Sequence, residues 1–138
     1  MSDQRLEGLT FRLHHTMLPV ADLDRSIWFY TGLLGMSLKS RHANPVRQSD
    51  VGLVGYGSSG QEPLLELTKD MSASAKPVQP LNTHIAINVS DLKKLCVLLE
   101  GEKVAFTRAL KPRNDGKGFT AWIADPDGHA IELVEMHA

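Results

Sequence analysis

His15-Thr16-Met17-Leu18-Pro19-Val20-Ala21-Asp22-Leu23 lies over His84-Ile85-Ala86-Ile87-Asn88-Val89-Ser90-Asp91-Leu92 at a constant shift of 69 residues, with His, Val, Asp and Leu recurring in step. A second pair follows: Leu64-Leu65-Glu66-Leu67 lies over Ala130-Ile131-Glu132-Leu133 at a shift of 66. Self-similarity at a fixed period marks a duplicated structural unit. Each half therefore carries one His near its start and one Glu near its end, 51 and 48 residues apart.

Working outward, Leu13 to Val20 and His84 to Val89 are short apolar runs rich in strand formers, each followed by an acidic or hydroxyl residue suited to capping a helix. Leu23, Ile27, Tyr30 and Leu34 then recur at helical spacing and Gly35 closes the run; Leu92, Leu95, Cys96 and Leu99 do the same, with Gly101 as the stop. Three strand-like stretches follow each helix: Ser37 to Arg41, Val51 to Tyr56 and Leu64 to Thr68, then Val104 to Leu110, Phe119 to Ala124 and Ala130 to Glu135. Gly57 to Gly60 and Asp125-Pro126-Asp127-Gly128 read as turns. The expected class is α+β, with two β-α-β-β-β modules at about 11–70 and 81–136. One such unit cannot bury its sheet alone, so two must pack together, within one chain or between two.

The remaining composition narrows the function. The 138 residues and 15.2 kDa suit a single domain over residues 1–138, and 42% hydrophobic with 22% charged residues is ordinary globular usage. Fifteen Lys and Arg against 16 Asp and Glu leave a net charge of −1, so no basic excess is present to hold nucleic acid. No apolar run is long enough for a membrane span and the first residues lack a signal-peptide core, so a cytoplasmic protein is expected. The lone Cys96 sits in an apolar helical pattern and fits a reducing compartment. Phosphate-loop, dinucleotide and zinc-cysteine motifs are absent, which leaves His and carboxylates to carry any chemistry.

Strand alternation places His15, Met17 and Pro19 on one face and His14, Thr16 and Leu18 on the other. Glu66 and Glu132 stand inside otherwise apolar strands, where a carboxylate is costly unless a cation or donors compensate it. A single such His or Glu is as readily a structural imidazole or a solvated edge residue; the duplication asks for a shared cause. A metal centre supplies one, with His15, Glu66, His84 and Glu132 as two imidazoles and two carboxylates. That donor mix suits a first-row divalent ion and leaves room for water or substrate. His14, His42, His129 and His137 are read as structural. Trp28, Phe29, Tyr30 and Trp122 are read as core or interface anchors.

At these residues the chain resembles glyoxalase I of the vicinal oxygen chelate superfamily. The likeness is carried by Leu13 to Tyr30, Leu34-Gly35-Met36, Val54-Gly55-Tyr56-Gly57, Leu65-Glu66-Leu67-Thr68, His84-Ile85-Ala86 and Asp125 to Leu133, and it spans about Leu13 to Glu135. It implies paired modules forming an open curved sheet around a metal site, a homodimer, and metal ligands at His15, Glu66, His84 and Glu132. It further implies isomerisation of the hemithioacetal of methylglyoxal and glutathione to S-D-lactoylglutathione, with Glu132 as main base and Glu66 as its counterpart on the other face. A His at the first ligand position and a short chain resemble the class that prefers Ni2+ or Co2+, with Zn2+ the alternative.

Two positions depart from that pattern. The arginine that would hold glutathione is Pro19, which has neither charge nor donor, and an asparagine position is Asp70, whose charge repels a carboxylate. Arg12, Arg41, Arg47, Lys111, Arg113 and Lys117 are the candidate compensating cations, and Lys111 to Phe119 resembles a loop closing over substrate or is a solvated one. The departures keep a second function open: an epimerase, thiol transferase or dioxygenase relative acting on another small molecule. A third class, metal-free antibiotic sequestration, is disfavoured because all four ligand positions are filled.

Overall fold

In a computed structural model of the chain, which describes residues 4–136, each half adopts the expected order of elements. The first comprises β1 (His15–Pro19), α1 (Leu23–Trp28), β2 (Ser37–Asn44), β3 (Ser49–Gly55) and β4 (Leu64–Asp70). The second comprises β5 (His84–Asn88), α2 (Leu92–Gly101), β6 (Phe106–Pro112), β7 (Gly118–Ala124) and β8 (Ala130–Met136). Each half forms its own four-stranded mixed sheet, in the orders β1-β4-β3-β2 and β5-β8-β7-β6. The first strand of each runs parallel to the last, and the other neighbours are antiparallel. The duplication extends to register: Met17 lies opposite Glu66 and Ala86 opposite Glu132.

Local chemistry sets the boundaries. Asp22 caps α1 by accepting the Arg25 N–H at 3.0 Å, and Asp91 caps α2 by accepting that of Lys94 at 3.1 Å. The first helical run is not uniform as its spacing predicts: α1 passes into a π turn over Phe29–Leu33 before Gly35, at φ 74, ends it. The Thr31 hydroxyl donates back to the Ile27 carbonyl at 2.7 Å, a contact of the kind that bends a helix. The second helix ends at Gly101 as its spacing predicts, but the glycine is not the residue that turns the chain. Lys103 takes the left-handed position, at φ 58, and Val104 N–H closes the end on the Leu99 carbonyl at 3.0 Å. Gly118 is required where β7 meets β8, since a Cβ there would lie 1.8 Å from the Glu135 carbonyl oxygen.

Both helices cover one face of their sheets, and the buried residues form a single cluster drawn from both halves. Leu23, Phe29, Tyr30 and Leu34 belong to it with Leu18, Val54 and Leu67, as do Leu92, Cys96 and Leu99 with Ile123, Ile131 and Leu133. Leu67 and Leu133, both fully buried, each contribute about 1.5–3 kcal/mol by leaving water. They flank the two glutamates in sequence, and alternation turns the glutamates to the uncovered face.

The turn before β8 has a second task beyond reversing the chain. Asp125 accepts the Tyr30 hydroxyl at 2.6 Å, and Asp127 accepts the Ala21 N–H at 3.0 Å and faces Ser26 Oγ and Arg25 Nη2 at 3.4 and 3.5 Å. His129 Nδ1 accepts the Leu81 N–H at 3.1 Å, so its Nε2–H donates to the Pro19 carbonyl at 2.7 Å. The second module thereby grips the end of β1 and the start of α1. No described helix is long and apolar enough to cross a membrane.

Candidate metal centre

His15 and Glu66 are brought together by the parallel register of β1 and β4. His15 Nε2 lies 3.1 Å from Glu66 Oε2, and the Thr68 hydroxyl donates to Glu66 Oε1 at 3.2 Å. Their side chains are 37% and 22% exposed, so the two groups meet at an open face rather than in the core. A partly buried carboxylate beside an imidazole nitrogen, with no Lys or Arg paired to it among the described residues, fits half of a divalent-ion shell.

The second pair occupies the matching register on the other sheet, but its surroundings differ. The His84 ring meets the Trp122 ring edge-on at 4.7 Å between centroids, and Trp122 lies opposite Glu132 across β7 and β8. Arg108 stands over the same indole at 5.3 Å. Within one chain the two pairs do not come together: among the described residues, the group of three or more candidate ligand atoms within 4.8 Å of one another is Asp125, Asp127 and His129. That group is the clasp between modules. Both ring nitrogens of His129 are engaged, so it offers no lone pair to a cation.

Other histidines fall as follows. His129 is 3% exposed and structural, as expected, although buried rather than in an open turn. His42 is exposed on β2, and His137 lies outside the described residues. His14 departs from the expectation of opposite faces. It precedes β1, and its Nδ1 lies 2.8 Å from Nδ1 of His15, the rings meeting edge-on. Strand alternation does not govern a residue ahead of the strand.

Two cavities lie along the strands that carry the pairs. One of about 790 Å³ extends along β1 and β4 and is lined by Met17, Pro19, Arg47, Thr68, Asp70 and Lys76. Its Asp70 carboxyl is held below the usual range by hydrogen bonding from Ser72, whose N–H lies 2.9 Å away, so the negative charge persists beside Pro19. The other, about 410 Å³, lies on the face of β7 and β8 and is lined by Arg108, Lys111, Arg113, Asp115, Trp122 and Glu132. Arg113 is held by Asp115 at 2.6 Å, and the Arg113 contact pulls the Asp115 carboxyl far below its ordinary value.

The candidate compensating cations therefore separate. Arg47 lines the first cavity and Lys111 and Arg113 the second, whereas Arg41 is paired with Asp24 and Asp50. Arg12 is exposed ahead of β1. Lys117 sits in the hairpin tip, its N–H on Asp115, and the tip is pinned by the Arg113 N–H on the Gly118 carbonyl at 2.9 Å. Arg108 was not among these candidates, although a charged residue inside an apolar strand is the same signal that singles out the glutamates.

Comparison with known proteins agrees with this architecture. Residues 12–133 match the family model described as Glyoxalase/Bleomycin resistance protein/Dioxygenase superfamily. The chain is 38% identical over 124 residues to the lactoylglutathione lyase of Salmonella typhimurium, covering 90% of this chain and 92% of that protein. Among solved structures, the trypanothione-dependent glyoxalase I of Leishmania major superposes with a TM-score of 0.75 at 34% identity, covering 91% of this chain and 87% of that one. Glyoxalase I of Zea mays superposes with a TM-score of 0.79 at 28% identity over 92% of this chain and 45% of that one. The chain, with its duplicated βαβββ modules and its paired His and Glu, belongs to the glyoxalase/bleomycin resistance protein/dioxygenase superfamily.

Proposed function

We propose that this protein is a metal-dependent lactoylglutathione lyase, a single-domain cytoplasmic enzyme that works as a homodimer. The observation that carries this reading is the repetition of one imidazole and one carboxylate at the same register on two sheets, Met17 opposite Glu66 and Ala86 opposite Glu132. Likeness to lactoylglutathione lyases over nine-tenths of the chain supports it. Because the two pairs stay apart within one chain, His15 and Glu66 of one copy face His84 and Glu132 of another. Those four side chains hold Ni2+ or Co2+, with Zn2+ as the alternative.

A divalent ion held there would supply Lewis-acid polarisation of the substrate and so ease proton removal. The remaining steps fall to this chain's own residues. Glu132 takes the proton from the carbon bearing sulfur and delivers it to its neighbour, and Glu66 is the corresponding acid–base group on the opposite face. Arg108, Lys111 and Arg113 attract the carboxylates of the thiol, and Arg47 and Lys76 take up the task that Pro19 cannot perform.

A second reading keeps the metal and changes the small molecule, and Asp70 beside Pro19 is what favours it. The two are separated by stripping the protein of metal, restoring Ni2+, Co2+ or Zn2+, and following thioester formation from methylglyoxal and glutathione by ultraviolet absorbance. Restored turnover that Glu132→Gln abolishes without loss of fold supports the lyase. Absence of turnover with every metal refutes it in favour of another substrate.

A further inference from the structure

We propose that His14 is a positioning residue for His15, fixing the ring so that Nε2 is the nitrogen offered to a cation; this rests on the metal centre proposed above. The two rings meet nitrogen to nitrogen, Nδ1 to Nδ1 at 2.8 Å, while His15 Nε2 points to Glu66 at 3.1 Å. An imidazole that gives Nε2 to a cation carries its proton on Nδ1, and that N–H needs an acceptor to hold the ring in one orientation. Nδ1 of His14 is the acceptor in place. The His14 backbone is itself anchored, since its carbonyl accepts the Leu64 N–H at 3.0 Å, on the strand that presents Glu66.

The second half lacks this device. Thr83 occupies the position 69 residues after His14, and the His84 ring is steadied by Trp122 instead. The duplicated ligands are thus supported by unlike neighbours, a hydrogen bond on one sheet and a ring edge on the other.

The test measures Zn2+ affinity by competition with a chromophoric chelator in the wild type, His14→Leu, His14→Asn and His15→Ala, with circular dichroism as the control for fold. His14→Leu, which removes the acceptor from an exposed position, weakens Zn2+ binding about 10- to 100-fold. His14→Asn places an amide oxygen near the same point and stays within about threefold of wild type. In the Zn2+-loaded protein the His15 Nδ1–H gives a protected downfield proton resonance that His14→Leu abolishes and His14→Asn retains. Unchanged affinity and an unchanged resonance in His14→Leu overturn the role of His14 alone. A wild type that takes up Zn2+ no better than His15→Ala overturns the metal centre and this inference with it.

Discussion

Replacing Tyr30 by Phe removes one oxygen from the interior and is expected to loosen the grip between the two halves. The Tyr30 hydroxyl donates to Asp125 Oδ2 at 2.6 Å, and Tyr30 is fully buried while Asp125 is 5% exposed. The other carboxylate oxygen, Oδ1, already receives the N–H groups of Asp127 and His129 at 2.9 Å each. Without the hydroxyl, a buried charged oxygen loses its donor. A hydrogen bond to a charged group contributes about 1.5–3 kcal/mol, and the stranded partner places the loss in the upper part of that range, about 2–3 kcal/mol. In urea titration this lowers the midpoint without changing the slope, and in thermal melts it lowers Tm by about 6–12 °C. The sign of the alkaline dependence follows as well. Burial and then the Asp125 charge push the Tyr30 hydroxyl far above its ordinary 10.0, so the folded chain holds this proton more tightly than the unfolded one. Its contribution is whole below about pH 10 and fades as pH rises beyond it. Wild type should therefore lose stability above pH 10 more steeply than Tyr30→Phe. A loss below about 0.5 kcal/mol at neutral pH, or parallel alkaline profiles, would refute the argument.

Gly118→Ala should destabilise the chain by more than about 1 kcal/mol, because its φ of 134 is strained for any side chain and the new Cβ would collide with the Glu135 carbonyl; chemical denaturation measures it, and a neutral result would contradict the close approach of β7 and β8. Saturation with Zn2+ at about 100 times its dissociation constant should stabilise the fold by about 2.7 kcal/mol over the chelator-treated protein, and His84→Ala should remove most of that gain in paired thermal melts.

What alternation and periodicity report is local, and local features were legible from the chain alone. The shift between the two His-containing strings anticipated the matching registers of Met17 with Glu66 and Ala86 with Glu132, because a repeated residue pattern repeats its pairing. Asp22 and Asp91 announced their helices through the geometry of an N-cap. The left-handed residue at Lys103 was hidden by Gly101, the more obvious stop, since the closing bond from Val104 to Leu99 decides which residue turns. Asp125 and Asp127 read as turn formers, and nothing in a turn motif names a partner about a hundred residues away. The separation of the two His and Glu pairs was invisible for a related reason. Alternation says which face of a sheet a side chain occupies, but packing of the modules decides which faces meet.

The clasp at Asp125, Asp127 and His129 makes the doubling lopsided. Shifted into the second half, Ser26 and Tyr30 become Leu95 and Leu99; shifted into the first, Asp125, Asp127 and His129 become Ser59, Gln61 and Pro63. A chimera built from two copies of either half would still carry two His and two Glu at ligand positions yet possess only the lock or only the key. The candidate ligand types of this chain repeat in both halves, whereas its fastening does not, so the halves are not interchangeable.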